Sequence, residues 1–146
     1  MATTASRALQ ATFNCLIVED LKLHAKILER MVKMTFEKWD IISSSDWATS
    51  EQEALKFCAQ KTYDLIIMDY HMIPKVGSEI TRSILAKYPN AHIVGYSACN
   101  DPDVKEECIK SGMEDVLPKE SQKMKQFLID FAKRFWLDKF GELSAG

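Results

Sequence analysis

A chain of 146 residues is most simply one domain built on one hydrophobic core. With 47% hydrophobic and 27% charged residues it has the composition of an ordinary globule, and a net charge of −2 with no long basic run argues against direct nucleic-acid binding. No apolar run approaches the ~20 residues of a membrane span, and Cys15, Cys58, Cys99 and Cys108 lie in apolar segments without C-x-x-C spacing, as reduced thiols of a cytosolic protein would.

Residues 1–13 read as a flexible polar tail rather than a transit peptide, because they carry a single Arg. "CLIV" is a first strand, and Leu23, Ile27, Leu28, Met31 and Met34 give the apolar stripe of a following helix. "DIISS", residues 40–44, is a second strand. A helix over 50–61 follows, with Ser50 as N-cap and Glu53 as its capping-box partner. "DLIIMD" is the third strand. A turn with Pro74 and Gly77 leads into a helix over 78–88, closed by Pro89-Asn90. "HIVGYS" is the fourth strand. Asp101-Pro102 opens the next helix and Ser111-Gly112 ends it. "DVLP" is a short fifth strand, and a last helix spans 122–140, stopped by Gly141 before a tail of residues 141–146.

Strict alternation of strand and helix implies parallel β-α-β units with right-handed crossovers. The first, third and fourth strands are apolar throughout, as central strands covered on both faces are. The second and fifth are shorter and more polar, and Pro118 suits an edge. The predicted fold is a single-domain α/β, flavodoxin-like doubly wound sheet of five parallel strands in the order 2-1-3-4-5.

In such sheets ligands bind at the carboxyl ends of the strands. Those ends carry Glu19 and Asp20, then Asp69, then Ser97, then Lys119. Three carboxylates against one amine repel one another unless a cation joins them. Clustered carboxylate oxygens favour Mg²⁺, with Mn²⁺ as the alternative, and Mg²⁺ commonly shares its shell with a phosphate.

The acidic pair "ED" after strand 1, "MDYHMIPKVG" after strand 3, "YSA" after strand 4 and "PK" after strand 5 occur in the order and approximate spacing of a known family. From Asn14 to Phe135 the chain resembles the receiver domain of two-component response regulators. The resemblance implies that Asp69 is the phosphoacceptor, supplied by a histidine kinase or a histidine phosphotransfer protein. Glu19, Asp20, Asp69 and the carbonyl of His71 would hold Mg²⁺. Lys119 would pair with a phosphoryl oxygen, Ser97 would hydrogen-bond another, and Ala98 is small enough for access. His71 and Cys99, two residues past acceptor and hydroxyl, are candidates for tuning dephosphorylation, while the His71 side chain is expected to be exposed. His24 and His92 read as surface residues, Trp39 and Trp47 as packing.

The chain departs from the family at several points. Pro74 lies five residues after Asp69 instead of four, Pro118 precedes Lys119 where a proline commonly follows, and Val116 replaces the usual aromatic residue. The last helix carries a core face of Met124, Leu128, Phe131 and Phe135. Its further apolar residues Phe127, Trp136, Leu137 and Phe140 predict either that the helix end curls over the sheet rim or, the favoured alternative, a contact with a downstream protein or a second copy through the surface of helix 4, strand 5 and helix 5 that many receivers use.

The resemblance implies a cytoplasmic signalling domain of residues 14–140 rather than an enzyme, with no direct contact with nucleic acid or membrane. The initiating Met and the lack of a linker favour a stand-alone protein over a piece of a hybrid kinase. An aspartyl phosphohydrolase of the dehalogenase type is the alternative enzyme, but it needs a second Asp where His71 stands. A flavin module needs a phosphate-cradling first loop, and "EDLKLH" repels an anion. A phosphorylation-independent docking receiver would not need the full set of site residues.

Overall fold

The computed structural model describes residues 11–145. Most of the expected N-terminal tail lies outside the described residues, and Thr12 and Phe13 already belong to a strand. In chain order the elements are β1 (Thr12–Val18), α1 (Lys22–Glu37), β2 (Ile42–Ala48), α2 (Glu51–Gln60), β3 (Leu65–Asp69), α3 (Gly77–Lys87), β4 (Ile93–Ser97), α4 (Pro102–Ser111), β5 (Val116–Pro118) and α5 (Ser121–Ala145). Among the described residues they form a five-stranded sheet in the order β2-β1-β3-β4-β5, with every pairing parallel. This is the predicted flavodoxin-like arrangement.

Alternation along the central strands divides the core into two layers. Phe13, Cys15 and Ile17 of β1 turn toward α1 and α5, where they meet Leu28, Val32, Phe36, Leu128 and Phe135. Leu16 and Val18 turn the other way, toward Ile80, Ile84 and Cys108 of α3 and α4. Phe13 stacks on Phe36 with ring centroids 3.8 Å apart, and Phe135 meets Phe13 edge-on at 5.3 Å. That aromatic cluster fixes the rotation of α1. Its buried face is Ala25, Leu28, Val32 and Phe36, whereas Leu23, Ile27 and Met34 of the predicted stripe are 69%, 47% and 52% exposed. The helix carries two overlapping apolar stripes, and Phe36 decides between them.

Two boundaries also differ from expectation. β2 starts at Ile42 and runs to Ala48, four residues past the expected end at Ser44, because it pairs with β1 from Thr12↔Ile42 to Val18↔Ala48. At the chain's other end α5 continues through Gly141. A helical glycine costs about 1 kcal/mol relative to alanine, but it ends a helix when the backbone turns left-handed, as it does at Gly112, where φ is +113°. The caps follow the sequence elsewhere. Ser50 accepts from the Glu53 amide at 3.2 Å, and Asp101 accepts from the Asp103 amide at 2.9 Å. The Glu53 carboxylate reaches back to the Thr49 amide, at 2.7 Å.

Trp39 tilts against Trp136, with centroids 6.1 Å apart, and Trp136 against Phe140 at 5.7 Å. Part of the extra apolar surface of α5 is therefore used within the chain, while Leu137 remains exposed.

Candidate functional site

The parallel register ends β1, β3, β4 and β5 at one rim, which carries Glu19, Asp20, Asp69, Ser97 and Lys119. Ligand oxygens of Glu19, Asp20 and Asp69 lie within 4.8 Å of one another. Glu19 and Asp69 are buried and Asp20 is exposed. Opposite them the Lys119 Nζ lies 3.2 Å from Asp69 Oδ1, which also accepts from the His71 amide at 3.2 Å. The Lys119 amide in turn donates to the Ser97 carbonyl at 3.1 Å, so the unusual Pro118-Lys119 order still delivers the amine to Asp69.

The buried Ser97 hydroxyl accepts from the Cys99 amide at 3.0 Å and lies 3.4 Å from His71 Nε2. His71, Ala98 and Cys99 are exposed at the mouth of the site. Cys99 is a free thiol facing outward, unlike the buried Cys15 and Cys108. Between β3 and α3 the loop folds back on itself, with the Gly77 amide on the Tyr70 carbonyl at 2.8 Å. A Cβ at Gly77 would come 2.3 Å from the Asp69 carbonyl oxygen, so this close approach needs glycine. Val116 packs against the layer formed with α3 and α4.

Glu19 is held more tightly than a solvating acid would be. Its Oε1 accepts from the Leu21 amide at 3.1 Å, its Oε2 accepts from the Tyr96 hydroxyl, and its carbonyl accepts from Trp47 Nε1. His24 Nδ1 is buried 3.6 Å from Oε1. Burial pushes the Glu19 carboxyl up to about 7, helped by the charge of Asp69 and opposed by the Tyr96 hydrogen bond. Burial and the neighbouring Glu19 raise the Tyr96 hydroxyl, which keeps it protonated and a donor. Three carboxylates, an all-oxygen set, suit a hard divalent cation that relieves this repulsion.

Tyr96, Trp47, Gly77 and His24 are the contributors that spacing alone does not single out. For Tyr96 the signal was present: a tyrosine at the end of a buried strand must find a partner for its hydroxyl.

The family model described as response regulator receiver domain matches residues 15–128. The chain is 31% identical over 125 residues to the aerobic respiration control sensor protein ArcB of Escherichia coli, an alignment covering 84% of the chain and 15% of that protein. The chain thus spans about a seventh of that relative's length. Among solved structures, the Francisella response regulator 1452 receiver domain is 25% identical with a TM-score of 0.66, covering 84% of this chain and 98% of that one. A two-component response regulator from Clostridium difficile shares the fold with a TM-score of 0.72 at 21% identity, covering 84% of this chain and 98% of that one.

Proposed function

The chain belongs to the response regulator receiver family of two-component signalling, and from that premise we propose that Asp69 accepts a phosphoryl group from a histidine kinase or a histidine phosphotransfer protein. The observation that carries the reading is the buried Asp69 carboxylate, set between the Lys119 amine at 3.2 Å and the acids Glu19 and Asp20. Phosphoryl transfer needs positioning and charge neutralisation more than covalent help from the protein, and this arrangement offers both.

An oxygen of Asp69 attacks the phosphorus. The acyl-phosphate P–O bond forms as the P–N bond to the donor imidazole breaks, and the departing nitrogen keeps the electron pair. Mg²⁺, or Mn²⁺, held by Glu19, Asp20, Asp69 and the His71 carbonyl, would supply positive charge against the phosphoryl oxygens. Lys119 pairs with one of those oxygens. The Ser97 hydroxyl turns to hydrogen-bond another, carrying Ala98 and Cys99 with it, and so biases the exit loop of β4 between two arrangements. His71 and Cys99 flank the approach of water and set how long the acyl phosphate lasts.

The output is a changed surface on α4, β5 and α5 that binds a downstream protein or a second copy. The expected signalling unit is residues 14–140, and its free thiols favour a cytoplasmic setting. Among the described residues no helix is long and apolar enough to cross a membrane.

Incubation with acetyl phosphate and Mg²⁺, read by intact mass, gives one added phosphoryl group in the native protein and none in Asp69→Asn. Equal labelling of both proteins would remove Asp69 as acceptor.

A further inference from the structure

Tyr96 touches both charged flanks of Asp69. It is buried in the layer between the sheet and helices α1 and α5, next to Leu117, Met124 and Leu128. Its hydroxyl donates to Glu19 Oε2, and its ring lies under the Lys119 Nζ, 4.8 Å from the centroid. The same ammonium is 3.2 Å from Asp69 Oδ1, so it sits between a carboxylate and an aromatic face. Both contacts come from one side chain with two rotatable bonds, packed in the core.

Resting on the phosphoacceptor reading above, we propose that Tyr96 is a positioning residue for phosphoryl transfer. Its hydroxyl fixes the Glu19 carboxylate for the cation, and its ring face carries the Lys119 ammonium against Asp69.

The Glu19 carboxylate has two oxygens. The Leu21 amide holds Oε1 at 3.1 Å, and Tyr96 holds the other. Without the phenol, the buried carboxylate keeps one backbone donor and can swing about it, which loosens its presentation to a cation. Groups that orient a ligand in this way commonly change metal affinity about tenfold or more when removed. The ring acts on the opposite flank. Lysine has a flexible four-carbon stem and no planar fork to lock it, so a surface that attracts its charge narrows where the amine can go. Consecutive strand residues point to opposite faces, so Ser97 serves the mouth of the site while Tyr96 supports it from beneath.

Two variants separate the halves of the proposal, with acetyl phosphate as donor and labelling rate followed by intact mass across a Mg²⁺ series. Tyr96→Phe keeps the ring and the packing. It should raise the Mg²⁺ concentration for half-maximal rate about tenfold, while the rate at saturating Mg²⁺ falls less than twofold. Tyr96→Leu fills the same apolar space without ring or hydroxyl, and it should also lower the saturating rate roughly tenfold. A half-maximal concentration within twofold of the native value in Tyr96→Phe overturns the role of the hydroxyl. A native saturating rate in a folded Tyr96→Leu overturns the role of the ring. Mg²⁺-independent labelling of the native protein, or labelling that survives in Asp69→Asn, instead defeats the underlying acceptor assignment, and the Tyr96 inference goes with it.

Discussion

At the scale of single residues, polar partners decide how much a buried side chain contributes. Tyr63 is buried, and its hydroxyl donates to Asp46 Oδ2 at 2.6 Å, beside Lys61 Nζ at 2.9 Å. Burial alone would raise the Asp46 carboxyl, but Tyr63 and Lys61 outweigh it and hold it below its ordinary value of 3.8. A depressed carboxylate adds stability that is present above its unfolded value and lost as pH falls through the folded one. Tyr63→Phe should therefore cost about 1–2 kcal/mol at pH 7, and the difference should shrink below pH ~4, as measured by urea unfolding. Undiminished destabilisation at low pH would assign the effect to packing instead. Gly77 illustrates the opposite constraint, exerted by backbone. Its missing Cβ lets α3 begin against the Asp69 carbonyl, and Gly77→Ala should displace that loop and slow labelling of Asp69 as well as lowering the melting temperature.

At the scale of elements, α1 tests the reading of helical periodicity. Leu28 lies in the layer behind Phe13 and Phe36, whereas Leu23 points to solvent. Leu28→Ala should cost about 2–4 kcal/mol, and Leu23→Ala should stay within about 0.5 kcal/mol. Comparable losses at both sites would restore the stripe that spacing predicts. Periodicity named the helix correctly but not its face, because Leu23, Ile27 and Met34 fit a 3.6-residue repeat as well as Ala25, Val32 and Phe36 do. The tie is broken by Phe13, 23 residues away from Phe36 in sequence. The end of β2 is hidden for a related reason: Ser45 and Asp46, which continue the polar run of Ser43 and Ser44, resemble a turn until seven residues of β1 pair with the strand through Ala48. The apolar runs of β1, β3 and β4, by contrast, declared themselves because both of their faces are covered.

At the scale of the whole molecule, the strand order gathers at one rim groups that the chain spreads from Glu19 to Lys119. This gathering was legible in the sequence because each group stands immediately after an apolar run. What holds the groups was less so, since Tyr96 and Trp47 look like ordinary core residues until their polar atoms meet Glu19. Joining the acids through a cation should also stabilise the entire fold. Mg²⁺ at ten times its Kd should add about 1.4 kcal/mol, raising the melting temperature by roughly 4 °C, and Asp69→Asn should abolish the increment. The Trp47 contact has an optical consequence. Its indole N–H is bound to the backbone carbonyl of Glu19, while Trp39 and Trp136 pack against each other elsewhere. The native chain therefore carries its own fluorophore at the acidic rim. Its emission should shift as the ion is titrated in, with no dye attached, and replacing Trp47 by Phe should silence that signal while the other two indoles keep glowing.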